Sequence, residues 1–277
     1  QANNLLTTMA LIEMSRDMIN EIRRNPEGQK WREICGNYHL GFNFMKEFRR
    51  FLVWKTVCTV QKLSYNCIDH FAKELNWKAA SRFQQLPEWI MRKHKKLLDW
   101  DEASRYQRMS QTFITVYENY VSWPMISAFQ KISEKFIWKN RHLVLFELIF
   151  EHTNISESFI EKCLDYLKSS IDKYDMRAIW VSISWNSNLS ESFMNKHLDD
   201  LNWFGISYEQ RLSEEFMSAN ADKLNWLAIS SQQQFGDHFM WKYSGKLNMA
   251  VVNNRIRQKL LTDPNVPKFN LGQLIMT

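Results

Sequence analysis

Chemistry in a protein usually starts from histidines, cysteines, serines and carboxylates, and this chain has all of them: seven histidines, 30 acidic residues, and the cysteines Cys35, Cys58, Cys67 and Cys163. Such residues could hold a metal ion, shuttle protons or supply a nucleophile. Zinc sites and metalloprotease helices need set spacings, such as paired C-x-x-C or H-E-x-x-H. None of these occurs, and no histidine has a second one four residues on. The serines lack the G-x-S-x-G setting of a hydrolase nucleophile, and seven glycines leave no loop to cradle a phosphate. The expectation is a non-enzyme without catalytic set, metal or cofactor. Four scattered thiols are not a disulfide framework either, which favours a reducing compartment.

Charge points to a surface instead. The chain carries 36 Lys and Arg against 30 Asp and Glu. Residues 1–140 hold 22 basic and 14 acidic residues, and residues 141–277 hold 14 and 16, so the whole excess lies in the first half. The candidate basic interaction patch is Arg49, Arg50, Arg92, Lys93, Lys95, Lys96, Arg105 and Arg108. Such a run is ordinarily a solvated helical face. Functionally, it would grip an acidic protein or a nucleic acid through charge. Stacking on single strands has only Trp89, Trp138, Trp185 and Trp241 to draw on, and no paired polar code recurs to read bases.

The elements that carry these residues follow from a period. Trp31, Trp54, Trp77, Trp100 and Trp123 stand 23 residues apart, Phe146 takes the next beat, and Trp180, Trp203 and Trp226 resume the step before Met249. Eight of the 12 tryptophans lie on this comb. With Phe146 they read as repeat core anchors rather than a binding cage. The unit is W-x-x-I-S-x-x-Q-x-L-S-E-x-F-I-x-x-x-x-D-x-L-N. Its second Ser, followed by Glu, is a helix N-cap with a carboxylate in the positive first turn. Asn76, Asp99, Ser122, Asn202 or Asn225 before the anchor is a second cap. The pattern predicts two short antiparallel helices per unit, neither able to bury its apolar face alone. The fold expected is all-α, an α-solenoid-like array of about nine two-helix repeats. A leucine-rich horseshoe has similar periods, but the unit has no L-x-L strand and Ala79-Ala80 favours helix.

Boundaries follow from the same comb. Residues 1–30 form an N-terminal capping helix on the Leu11, Met14, Met18, Ile22 stripe, residues 31–258 the repeat domain, and residues 259–277 an extended tail with two prolines. From Phe146 to Trp180 the step is 34 residues. The 11 extra residues, within about 160–179, keep a stripe through Ile160, Cys163, Leu164, Leu167, Ile171 and Tyr174. They predict one helix projecting about 16 Å beyond its neighbours, at 1.5 Å per residue. His94 and His197 share the slot that holds Phe48, Phe71, Tyr117 and Tyr243 elsewhere, so they read as half-buried packing residues. Cys35 and Cys58 occupy the slot of the first repeat serine, a small-residue packing role. The longest apolar run, Leu143 to Phe150, contains Glu147 and falls far short of the ~20 residues of a membrane span, so a soluble chain is expected. A chain opening on Gln1 rather than Met is expected to be processed or represented without its start.

The unit, clearest at Leu189–Gln210 and Leu212–Gln233, resembles the 23-residue tryptophan repeats in proteins of large double-stranded DNA viruses and some large phages. The resemblance covers about four fifths of the chain; Gly41 and Pro87 in place of the cap serine, and the long step, depart from it. It implies a virion component with no catalytic residues to carry over. The concrete version is a minor capsid protein that braces or cements other capsid proteins, found in the virion and, during assembly, in the cytoplasm of the infected cell. The alternatives are a helical-repeat adaptor for a host or viral protein and nucleic-acid binding through the basic face.

Overall fold

The computed structural model describes residues 11–169, 175–185 and 189–262. Its described elements are all helices apart from one isolated bridge between Ile12 and Tyr38. The chain divides into two compact units, residues 1–144 and 145–277. The fold is all-α, and within each unit the helices pack in series.

The first unit opens with α1 (Arg16–Arg24), capped by Ser15, whose Oγ accepts the Met18 N–H. The expected stripe reaches back to Leu11, but the helix does not. Ser15 takes the extended backbone that a cap requires, and Ile12 exchanges 2.9 Å backbone hydrogen bonds with Asn37 and His39. Five two-helix repeats follow. Their leading helices start on the anchor: Trp31–Asn37, Trp54–Val60, Trp77–Phe83, Trp100–Tyr106 and Trp123–Phe129. Their trailing helices are Phe42–Glu47, Tyr65–His70, Glu88–Lys93, Gln111–Val116 and Glu134–Lys139. Each leading helix packs on the leading helix of the next repeat.

The second unit repeats the scheme with leading helices Phe146–His152, Met176–Ser184, Trp203–Glu209, Trp226–Gln232 and Met249–Thr262, and trailing helices Glu157–Lys168, Glu191–Lys196, Glu214–Ala219 and Asp237–Lys242. The 11 additional residues do not make one helix longer by 16 Å. Glu157–Lys168 has 12 residues where other trailing helices have six, a gain of about 9 Å at 1.5 Å per residue, and Met176–Ser184 starts four residues before its anchor. Two short elongations replace the single long one because Asp175 caps a fresh helix, its carboxylate accepting the Arg177 N–H. Ile171 and Tyr174 lie outside the described residues. The expected tail also starts later: Met249–Thr262 runs through residues 259–262, and residues 263–277 are outside the description.

Helices of six or seven residues are about half the ~12–15 that an isolated helix needs in water, so packing and capping must hold them. All six cap serines, Ser64, Ser110, Ser133, Ser156, Ser190 and Ser213, accept the N–H three residues on. Before the anchor, Asn76, Asp99, Asn202 and Asn225 do the same. Ser122, whose helix carries Pro124 in its first turn, makes no such bond. The core is the set of residues that recur three, nine, thirteen and fourteen after the anchor, for example Ile126, Ile132, Phe136 and Ile137.

The anchors are less uniformly buried than their periodicity implies. Trp31, Trp77, Phe146 and Trp180 are buried, whereas Trp54, Trp100, Trp123, Trp203 and Trp226 are half-buried. Buried or half-buried, seven of them share one bond. The indole N–H donates to the carbonyl five residues upstream, at 2.7 Å for Trp31 and Trp77, which holds that edge of the ring at the turn while its face packs on the trailing helix.

Candidate basic interface

The recurring polar residues are spent inside the array, and the glutamine of the unit is the one whose role was missed. In the first unit, Gln61, Gln84, Gln107 and Gln130 reach back to the preceding repeat. Gln107 Nε2 donates to the carbonyls of Ser81 and Gln84 at 2.7 and 2.8 Å, and its Oε1 accepts the Leu86 N–H at 2.8 Å. Gln84 makes the same three bonds to Cys58, Gln61 and Leu63. Gln233 repeats them in the second unit. The carbonyls served stand at the C-terminal end of a leading helix, where the last four have no partner within the helix. A glycine cap usually closes such an end. Here the next repeat's amide closes it, and none of the described residues has positive φ. Seven glycines therefore suffice for some twenty helices.

The serine four after the anchor is a second tie between repeats. Ser81, Ser104, Ser184, Ser207 and Ser230 are fully buried, and each Oγ accepts the backbone N–H 18 residues on, from the cap of the next leading helix. Where Cys35 stands in that slot its sulfur takes the Val53 N–H at 3.4 Å. Cys58 is held the same way by Asn76, and burial pushes its thiol up to about 11, so it is a buried acceptor rather than a nucleophile. First-turn carboxylates form a third tie, as where Glu191 accepts both the N–H and the Oγ of Ser213.

The histidines do pack as expected, and each also meets a carboxylate. His94 lies on Trp77 at 5.2 Å and His197 on Trp180 at 5.0 Å. His94 Nε2 is 3.0 Å from Asp69, which Lys93 also contacts at 2.7 Å; His197 and Lys196 hold Glu161 at 3.0 and 2.6 Å. The Lys93 hydrogen bond is the largest influence holding the Asp69 carboxyl below its usual range. At Glu161 burial works upward, and the bonds from Lys196 and His197 outweigh it and hold the carboxyl low. Among the described residues no group of three or more His, Cys, Asp or Glu is placed to bind a metal ion, and none of the helices is long and apolar enough to cross a membrane.

The structure divides the eight residues of the basic patch rather than gathering them. Arg49, Arg50, Lys95 and Lys96 lie in turns that lead into the N-terminal end of a leading helix. Arg105 and Arg108 lie at the C-terminal end of one, about 10 Å away along a seven-residue helix. Lys93 is paired with Asp69, and Arg92 is exposed on the trailing helix Glu88–Lys93. Closeness in sequence had grouped residues that the helical hairpin sets on opposite edges.

On the Arg105 edge, slots five to nine after the anchor gather a different set in the first unit. Lys62, Arg82, Arg105, Arg108 and Lys131 are all exposed, and no carboxylate occupies these slots in its five repeats. Aromatic rings alternate with the arginines. Arg82 lies 5.2 Å from the centre of Phe83 and 5.0 Å from that of Tyr106; Arg105 lies 5.2 Å from Tyr106 and 4.6 Å from Phe129. Beside this ladder run two open cavities of about 590 and 500 Å³, one at Lys62, Tyr65 and Phe83, the other at Arg105, Arg108, Phe129 and Lys131 with Glu88, whose carboxylate accepts the Ser110 N–H. They occupy equivalent slots two repeats apart. A third, of about 550 Å³, occupies the same slots in the second unit but has Glu209 beside Arg211. The groove thus belongs to the repeat, and its positive charge belongs to the first unit.

Comparisons with protein-family models, curated proteins and solved structures find no match.

Proposed function

We propose that this chain is a non-enzymatic helical-repeat scaffold that braces other proteins within a large assembly. The observation that carries this reading is the fate of the recurring polar residues. Glutamine and the serine four after the anchor are turned inward on the neighbouring repeat, as Gln107 and Ser104 illustrate, and the cap serine and first-turn carboxylate are committed to backbone N–H groups at helix starts, as Ser213 and Glu191 illustrate. These ties stiffen the array and commit its recurring glutamines and serines to backbone groups. The exposed slots differ from copy to copy, which suits a surface whose repeats each meet a different neighbour.

The narrower version is a minor capsid protein, with capsid proteins as partners and the virion as its place of residence. Its support is the resemblance of the 23-residue unit to the tryptophan repeats of large DNA viruses. Quantitative mass spectrometry of purified particles tests it. A constant number of copies per shell subunit, retained through density-gradient purification, is the expected result. Recovery only in the soluble fraction of the producing cell would refute it.

A further inference from the structure

We infer that the groove along the first unit binds single-stranded nucleic acid. A chain that does so without reading sequence needs a line of cations to follow the phosphates and aromatic faces on which bases stack. Both are present on one edge. Lys62, Arg82, Arg105, Arg108 and Lys131 come from four successive repeats, and adjacent packed helices are ~8–10 Å apart, so the line extends for roughly 30 Å. Phe129 is 47% exposed, and at the rim of the other cavity Tyr65 and Trp89 meet edge to face at 5.7 Å, 43% and 51% exposed. None of the five cations is in an ion pair with a described residue. Their guanidinium and ammonium groups are thus available to phosphate, while Arg82 and Arg105 keep the rings beside them ordered.

The chemistry of the groove selects a strand over the other polyanions. An acidic polypeptide would use the cations but has no use for the ring faces. A duplex keeps its bases stacked on each other and offers only its backbone. Edge recognition has little to work with: Gln84, Gln107 and Gln130 are each bonded to the repeat before, and Gln85 is the one exposed amide among the glutamines lining the two cavities. Binding is therefore indifferent to sequence. The corresponding groove of the second unit has one lining cation, Arg211, with Glu209 beside it, against three cations and Glu88 at the Arg105 cavity, and does not share the property. This inference is independent of the bracing role, since either can fail while the other holds.

Fluorescence anisotropy of the full chain with a labelled 20-residue oligothymidylate tests it, with a duplex of equal length and a 20-residue polyglutamate peptide as comparators. The single strand is expected to bind at least tenfold tighter than either, with log Kd rising against log salt at about 0.7 per phosphate contacted, up to about 3.5 for five contacts. Arg105→Gln with Arg108→Gln should lower that slope by about 1.4. Phe129→Leu should weaken binding at least about fivefold, the low end for one stacked base, and leave the slope unchanged. Arg49→Gln with Arg50→Gln, on the opposite edge, should change Kd less than twofold. Circular dichroism checks that each variant is folded. Equal affinity for duplex or polyglutamate, no effect of Phe129→Leu, or an equal loss in the Arg49 and Arg50 variant would overturn the inference, as would no binding of the strand at 50 mM salt.

Discussion

Replacing Gln107 by leucine removes one rung between two repeats while keeping a side chain of similar size. The glutamine is 6% exposed and makes three hydrogen bonds of 2.7–2.8 Å, two to carbonyls at the end of the preceding leading helix and one from the Leu86 N–H. Each buried group left without its partner costs about 1–3 kcal/mol. Three groups at the low end cost about 3 kcal/mol, because a carbonyl near a helix end can recruit water, and burying the leucine returns roughly 1 kcal/mol or slightly more. The expected net loss is about 2 kcal/mol. Gln85→Leu is the control, one residue beyond Gln84 and exposed, and it should stay within about 0.5 kcal/mol. Gln107→Glu adds a sign. A carboxylate facing two carbonyls is disfavoured, so its folded-state pKa lies above the unfolded value of about 4.3. Stability should then be highest below about pH 4 and fall as pH rises through the folded-state pKa. Urea titrations followed by circular dichroism measure all three. Equal midpoints for Gln107→Leu and Gln85→Leu would refute the ladder as a source of stability.

Trp77→Ala should cost about 3–5 kcal/mol, since the ring is 8% exposed and its N–H is bonded at 2.7 Å, while Trp241→Ala, 78% exposed, should cost less than about 0.5 kcal/mol; the same denaturation curves decide. Because Lys196 and His197 hold the Glu161 carboxyl below its ordinary 4.5, the stability it contributes is present above that pH and is lost as pH falls through the lower folded-state value. Glu161→Gln should remove that part of the acid dependence, and an unchanged acid limb in thermal melts would contradict it. The Cys58 thiol, buried and raised to about 11, should resist a maleimide at pH 8 until the chain unfolds, and labelling within seconds in the native state would count against its burial. Cys58→Ser restores the residue that the slot holds elsewhere and should leave stability within about 0.5 kcal/mol.

The sequence made the fold legible because one period controlled several independent signals at once. Anchor, cap serine and apolar slots all kept the same 23-residue step, so helix starts at Trp77 and Ser213 could be placed to the residue. The misses occurred where that step fails. At the long interval Asp175 begins a new helix that the continuous stripe through Leu167 and Ile171 conceals. At the N-terminus Ser15 interrupts a stripe that periodicity alone carries back to Leu11. Glutamine was visible in the unit but silent, since its partners are backbone atoms 21, 23 and 26 residues earlier, contacts that no residue type announces. The basic groove was hidden for a related reason. Arg82, Arg105 and Phe129 sit in neighbouring slots of successive repeats, so the ladder emerges only when the copies are stacked. Adjacent residues such as Lys95 and Arg105 were grouped instead, and the hairpin separates them.

The central claim is that the inward-facing recurring residues build the array and the variable exposed slots bind its neighbours in a larger assembly. A side-chain-resolution cryo-electron microscopy map of the chain within its native particle tests this most directly. The account predicts symmetry-related copies between other subunits, contacts made through exposed residues that vary between repeats, and Gln61, Gln84, Gln107 and Gln130 on the preceding repeat. Copies without fixed position, or contacts made by these glutamines and the cap serines, would contradict it.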